Sequence, residues 1–275
     1  MTTFAEKIVW ITGASSGIGE ALAKSFAADG AHIILSGRRV EALQAVADAI
    51  PTDTLILPFE VTDYKVLEAN VAQAWDWKGR VDILVNNAGV SQRSLAIRTD
   101  PNVYADLLNI DLIAPIWLTQ LQLPRMVAAG GAHIVAISSV AGRIGAPLRT
   151  AYSAAKHGLI GYMDALRTEV SLRHKINVTN VLPGSVATNV ARNALTADGS
   201  TRGKSDEKID SGDDPMDCAK VILDAVTNNL PEVTYAQGME LELAKMRHAE
   251  PEKFFDLAAK FGSQIAEQYE SGDDS

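Results

Sequence analysis

The stretch that most narrows the folds open to this chain lies near its start. Ile8-Val-Trp-Ile11 reads as a short buried strand and Thr12-Gly13-Ala14-Ser15-Ser16-Gly17-Ile18-Gly19 as a glycine turn. The amphipathic run to about Ala28 reads as a helix that stops at Asp29-Gly30. In a strand, glycine turn and helix, backbone N–H groups can cradle a pyrophosphate at the helix N-terminus. The glycines are spaced G-x-x-x-G-x-G rather than G-x-G-x-x-G. Glycines alone mark only a turn; the flanking strand and helix favour a nucleotide site.

The alternation continues down the chain. Further strands are expected at 32–36, 54–58, 81–85, 133–137, 176–182 and, shorter, 233–236. Helices fill the gaps: one ends near Ile50-Pro51, and one is capped by Thr62 or Asp63 and runs toward Trp77. A long helical region covers 101–129, another helix runs to about Arg173, and another spans 215–228. This order predicts an α/β fold, a Rossmann-like doubly wound parallel sheet of about seven strands with helices on both faces. No repeat or linker interrupts it, so residues 1–275 are expected to form a single domain. Residues 189–215, rich in Gly, Ser, Thr, Asp and Lys, read as a mobile substrate lid. Residues 238–275 read as a C-terminal amphipathic helical extension with an acidic, frayed end.

Composition excludes several classes. A formal charge of −9 argues against nucleic acid as a partner. The one cysteine, Cys218, excludes an internal disulfide framework and any cysteine-rich metal site, and fits a reducing compartment. The five histidines lack metal-ligand spacing, so no metal is expected. The N-terminus offers no signal-peptide core, and no run approaches the ~18 apolar residues of a membrane span. The expectation is a cytoplasmic protein with no membrane partner.

Chemistry gathers in three places. Tyr152 and Lys156 are four residues apart, on one face of a helix, where an ammonium near a phenol favours phenolate. On its own the pair could be an ordinary surface pair. Ser138 and Ser139 close the strand before it, at the sheet edge where open α/β sheets bind ligands. The strand at 32–36 ends in Gly37-Arg38-Arg39, with no acid between Ala31 and Val40. Arginine there suits a 2′-phosphate, an acid would suit a ribose hydroxyl, and NADP is therefore favoured over NAD, with Arg38 first and Arg39 helping. Asn86-Asn87-Ala88-Gly89 can bond neighbouring backbone and hold the sheet edge open. Asn109, inside an apolar helical pattern, is either a structural bond or part of a water relay. The turn Pro183-Gly184-Ser185-Val186-Ala187-Thr188 could meet a nicotinamide.

In that order, T-G-A-S-S-G-I-G, N-N-A-G, a helical Asn, a Ser thirteen before Tyr, Y-S-A-A-K and P-G-S-V-A-T resemble the single-domain short-chain dehydrogenase/reductase family, from the first strand through Thr188. N-N-A-G-V-S-Q-R-S-L is similar to its dehydrogenase/reductase member 7 branch. The resemblance implies that Tyr152 is the general acid/base, Ser139 rather than Ser138 orients the substrate oxygen, Lys156 supports Tyr152 and the nicotinamide ribose, and Asn109 supports a water-linked relay. It implies Gly13, Ser15, Ser16, Gly17, Ile18 and Gly19 as the phosphate loop, and Asn87, Ala88 and Gly89 as the inner cofactor wall. Pro183, Gly184, Val186 and Thr188 would face the nicotinamide, and G-R-R resembles NADP-preferring members. Glu60 stands where the family has an aspartate against adenine, which leaves Glu60 and Val61 as weaker matches.

The activity implied is reversible hydride transfer between NADPH and a carbonyl or secondary alcohol. Val90, Gln92, Val140, Ile144, Leu148 and the 189–215 segment are expected to line a pocket for a hydrophobic small molecule. An NADP(H)-binding sensor without turnover is the alternative, since fold does not fix function. A nicotinamide-using epimerase would need a larger substrate domain. The family resemblance implies a homodimer or homotetramer packed through the helices that carry Asn109 and Tyr152.

Overall fold

A computed structural model describes residues 3–272. Seven strands form one sheet: Ile8–Thr12 (β1), His32–Ser36 (β2), Thr54–Ile56 (β3), Ile83–Asn86 (β4), Ala132–Ile137 (β5), Ile176–Pro183 (β6) and Glu232–Tyr235 (β7). Their order is β3-β2-β1-β4-β5-β6-β7 and every neighbouring pair is parallel. The chain starts in the middle, winds out to β3, then crosses back to β4. The order therefore reverses between β1 and β4, and loops leaving the two strands diverge there to open a crevice.

Helices cover both faces because the strands are apolar on both sides. All five residues of β1 are buried. Val9, Ile11, Ile33, Leu35 and Val85 meet Leu22 and Phe26 of Gly17–Ala28 (α1), Leu43 of Val40–Asp48 (α2) and Ile222 of Pro215–Thr227, a later helix. The alternate residues Ile8, Trp10, Ile34 and Leu84 meet Leu67 of Tyr64–Lys78 (α3) and a second set of helices. Each fully buried Leu, Ile or Phe contributes roughly 1.5–3 kcal/mol. Asp63 caps α3 by accepting from Lys65 N–H, and Trp75 is buried with its indole N–H on Gln122 Oε1 at 2.6 Å.

Two expected helices differ. The 101–129 region is Pro101–Leu108 (α4), a wide π turn at Asn109–Ile113, then Ala114–Ala128 (α5). Pro115 explains the widening, since it has no N–H for the carbonyl of Asp111 and its ring needs room there. After the short Val140–Gly142 turn come Thr150–His174 (α6), Glu207–Asp210 (α7) and Pro215–Thr227 (α8). The C-terminal extension is two helices, Gly238–Ala249 (α9) and Pro251–Glu270 (α10), broken where Pro251 opens the second. The third strand stops at Ile56, two residues short of the expected end. The end of the acidic tail, 273–275, lies outside the described residues. Among the described residues no helix is long and apolar enough to cross a membrane.

Candidate active site

The glycine turn joins β1 to α1 at the crevice. Gly13 has φ +65°, and a Cβ there would stand 2.9 Å from Ala88 Cα. A Cβ on Gly19 would run into the carbonyl oxygen of Gly13, so the turn can close only with glycine at both positions. Asn87 ties the second wall to the first, its amide donating to Thr12 O at 2.9 Å and Gly13 O at 3.2 Å. The Thr12 hydroxyl accepts from Asn87 N–H at 3.0 Å and Ala88 N–H at 3.1 Å. Ser16, at the N-cap of α1, makes no side-chain cap, which leaves the first N–H groups of the helix to an outside acceptor. Ile18 packs into the core beneath. Between Ser16, Gly17, Thr188 and Asn189 lies an open cleft of about 420 Å³, whose lining includes neither Tyr152 nor Lys156. The glycine turn, with its helix N-terminus uncapped, fits a dinucleotide pyrophosphate.

At the end of β2 the arginines part. Arg39 donates to Ser15 Oγ at 3.1 Å and Ser16 Oγ at 3.3 Å, above the glycine turn. Arg38 is 78% exposed and turned to Glu60 Oε2 at 3.4 Å. The expected ranking of Arg38 over Arg39 is therefore reversed in proximity to the cradle. Glu60 faces Arg38, while Val61 lines a small cavity with Thr12, Phe59 and Ala88.

Ser139 follows β5, and its hydroxyl accepts from Ala141 N–H at 3.1 Å and donates to Pro183 O at 3.3 Å. The buried Ser138 hydroxyl is occupied, donating to the Lys156 carbonyl at 3.1 Å. Geometry thus leaves Ser139 as the serine at the crevice. Tyr152 and Lys156 lie on the first two turns of α6, with Lys156 Nζ 5.5 Å from the Tyr152 ring centre. That ammonium donates to Ile137 O at 3.1 Å and pairs with Asp111 Oδ2 at 3.4 Å, the two side chains being 5% and 0% exposed. Asp111 Oδ1 accepts from Val90 N–H at 2.8 Å, and a Cβ on Gly89 would stand 3.2 Å from Asp111 Oδ1 and 3.3 Å from Lys156 Nζ.

Burial raises the Asp111 carboxyl above its ordinary value against the pull of Lys156 and Val90 N–H. Burial works against the Lys156 ammonium, yet Asp111 and Tyr152 outweigh it and hold the amine above its ordinary value. Both cannot keep a proton independently, because a neutral Asp111 would no longer support Lys156. The proton belongs on Lys156, since ordinary amine and carboxyl values start roughly 6 units apart.

Of the two readings open for Asn109, its side chain makes the structural bond. Its Oδ1 accepts from the Tyr64 hydroxyl on α3, away from Lys156. The polar side chain set against Lys156 is Asp111, two residues on and so on the opposite side of the helix. Its signal in the sequence is an acid inside the apolar run Leu107–Ile113. Gln92 is corrected: fully buried, it accepts from Ala151 N–H at 2.8 Å and donates to Ser94 Oγ at 3.0 Å, so it builds structure rather than lining a pocket. Val90 packs beside Tyr152, Val140 and Ile144 pack on Phe254, and Leu148 is buried.

Residues 183–188 bridge the two halves of the crevice: Pro183 O meets Ser139, and a Cβ on Gly17 would stand 3.0 Å from Thr188 Cγ2. Val186 is buried behind them and Gly184 N–H donates to Tyr235 O at 2.8 Å. The 189–215 segment is fastened by Arg93 N–H on Leu195 O at 2.9 Å and by buried Asp206, paired with Arg93 at 2.8 Å and Arg149 at 3.7 Å. Asp206 and Glu240, which touches Ser185, were not legible as site residues.

Sheet order and cradle together define a doubly wound dinucleotide-type domain, with Ser139, Tyr152 and Lys156 following its fifth strand. A family model described as short chain dehydrogenase matches residues 7–199. The chain belongs to the short-chain dehydrogenase/reductase family, enzymes that act on CH–OH or C=O groups with a nicotinamide cofactor. It is 36% identical over 261 residues to dehydrogenase/reductase SDR family member 7B of Bos taurus, covering 92% of this chain and 80% of that protein. With the Danio rerio member 7B it is 40% identical over 240 residues, 84% of this chain and 77% of that one. These place it near the member 7 branch. A short-chain dehydrogenase/reductase from Burkholderia phymatum, solved in complex with NAD, superposes with a TM-score of 0.82 at 22% identity, covering 92% of this chain and 96% of that one. At that identity the likeness is one of fold.

Proposed function

We propose that this protein is an NADP(H)-dependent oxidoreductase that interconverts a carbonyl and a secondary alcohol on an apolar small molecule. The observation that carries this reading is the buried Lys156 ammonium beside the Tyr152 ring and bonded to Ile137 O, at the carboxyl end of the strand that Ser139 follows. A bound nicotinamide supplies or accepts the hydride. Tyr152 gives its hydroxyl proton to the substrate oxygen in reduction and takes it back in oxidation. Ser139 is a second donor to that oxygen once its hydroxyl turns from Pro183 O, so positioning and charge stabilisation act together. Lys156 offsets the negative charge left on Tyr152 when the proton departs, and Asp111 keeps Lys156 in place.

The cradle of Gly13, Ser15, Ser16, Gly17, Ile18 and Gly19 would hold the pyrophosphate, with Asn87, Ala88 and Gly89 as the inner wall and 183–188 toward the nicotinamide. Arg39, already over Ser15 and Ser16, and Arg38, freed from Glu60, would hold a 2′-phosphate. The NAD of the Burkholderia phymatum protein belongs to that protein; the absence of an acid at the end of β2 favours NADP here. Val90, packed with Tyr152 and with Leu195 of the 189–215 lid, supplies apolar lining, with Val140, Ile144 and Leu148 buried behind it. A homodimer or homotetramer is supported by Ile113 at the end of the π turn, Trp117 on α5 and Leu172 on α6, which are 39%, 46% and 98% exposed. The buried Cys218 thiol, pushed up to about 12 by burial, fits the cytoplasmic expectation.

Tyr152→Phe tests the mechanism. With NADPH and a panel of apolar ketones and aldehydes, turnover should fall about 100- to 10,000-fold while NADPH binding stays at the wild-type level. Turnover close to wild type would sink the assignment.

A further inference from the structure

The C-terminal extension lies beyond every motif that marks the site, yet it reaches the 183–188 turn. The α9–α10 pair folds back over the loop that follows β5, with buried Phe254 packed on Val140 and Ile144. At the start of α9, Glu240 meets the middle of the 183–188 turn. Its Oε2 accepts from Ser185 N–H at 2.9 Å, and its Oε1 accepts from the Ser185 hydroxyl at 2.9 Å and from Lys208 Nζ on α7 at 2.6 Å. Any Cβ on Gly184 would collide with that carboxylate, so the turn is shaped to receive it. Burial raises this carboxyl, but Lys208 and Ser185 outweigh burial and hold it below its ordinary range.

The turn's ends are secured elsewhere, by Pro183 O on Ser139, Gly184 N–H on Tyr235 O and Ala187 N–H on Asp213 O at 2.9 Å. In its middle Ser185 O accepts from Asp213 N–H at 3.0 Å, while the Ser185 N–H and hydroxyl depend on Glu240. No residue of α9 is fully buried, so the fold does not rest on this side chain.

We propose that Glu240 is a positioning residue: it fixes the 183–188 turn between Ser139 and the glycine cradle and, through Lys208, seats the 189–215 segment. The C-terminal extension thereby sets how tightly the dinucleotide is held. This rests on the dinucleotide reading given above. Three bonds end on one carboxylate, and a charge-assisted bond of this kind is worth enough to change binding by about 10-fold or more.

The test is a fluorescence titration of the full chain with NADPH and NADH, alongside amide exchange at Ser185 and the thermal midpoint. Glu240→Ala should bind NADPH about 10-fold more weakly and expose Ser185 N–H to faster exchange, with its thermal midpoint near wild type. Glu240→Gln, which keeps neutral bonds to Ser185, should fall between the two. Lys208→Met should speed exchange in residues 206–213 and weaken NADPH binding less than Glu240→Ala does. If Glu240→Ala misfolds, Glu240→Gln and Ser185→Ala carry the test, with Ser185→Ala expected to lose about 2- to 10-fold. Wild-type affinity in the variants, beside a wild type that binds NADPH, overturns the positioning role alone. A wild type that binds neither dinucleotide overturns the functional reading and this inference with it.

Discussion

Two charged groups flank the crevice and they behave as opposites. Lys156 and Asp111 lie beneath the candidate site with 5% and 0% of their side chains exposed, among Ile137 O, Val90 N–H and the Tyr152 ring. Arg38 and Glu60, at the end of β2, are 78% and 40% exposed and meet at 3.4 Å. In the dry pair, removing one partner leaves a buried charge with nothing to answer it. In the wet pair water screens the attraction, so each partner can be exchanged at little cost. A catalytic group needs the first condition, because its charge must not wander. A phosphate clamp needs the second, because its arginines must leave one acid for another.

Asp111 is the hardest test of that contrast. Asp111→Leu should destabilise the fold by about 3–5 kcal/mol, read as a lower urea midpoint. Asp111→Asn keeps the bond from Val90 N–H and should fold. It withdraws the carboxylate that holds the Lys156 proton, so the alkaline limb of the rate profile should move to lower pH. A limb that stays in place would show that the pairing does not govern Lys156.

His133 sharpens the same contrast from within the sheet, on β5. Burial first, then the Arg167 charge, pushes its imidazole down to about 4 from 6.5, and its Nε2 sits 2.8 Å from Thr179 Oγ1. The unfolded chain therefore binds a proton that the folded chain refuses between those values. Stability rises with pH through that window, and falling pH should remove about 3 kcal/mol. His133→Asn should flatten the decline in urea midpoint from pH 6.5 to 4; an equally steep decline would assign the acid sensitivity to other groups.

The arginine patch should show the smallest effects. Arg39→Ala is expected to weaken NADPH binding about 10- to 100-fold and NADH binding little, with Arg38→Ala nearer the lower figure. Wild-type NADPH affinity should fall as salt rises, whereas the Asp111–Lys156 pair should be indifferent to it. Equal losses for NADPH and NADH would detach the arginines from the 2′-phosphate.

What could be read in advance follows physical range. The strands were legible because apolar runs bounded by turn residues have few other uses, and the cradle because glycine at 13 and 19 answers to backbone alone. Ser138 and Ser139 could not be separated by residue type; burial of one hydroxyl against the Lys156 carbonyl separates them. Asp111 was not legible because helix phase decides which side chain faces Lys156, and Pro115, four residues beyond it, alters that phase. Asp206 and Glu240 lie 57 and 55 residues from the positions they touch, Arg149 and Ser185 in different elements. No local pattern announces such a contact.

The wide turn at Asn109–Ile113 also changes what a single length of helix can be used for. A regular helix has one apolar stripe and so belongs to one core. Here α4 turns Val103 and Leu107 toward Ala151 and Tyr152, while α5, past the turn, turns Leu118 and Met126 into the core beneath the sheet. The two halves are geared apart without a loop between them. Selection can therefore retool the half that borders the tyrosine for a new molecule while the half that bears the sheet keeps its load unchanged.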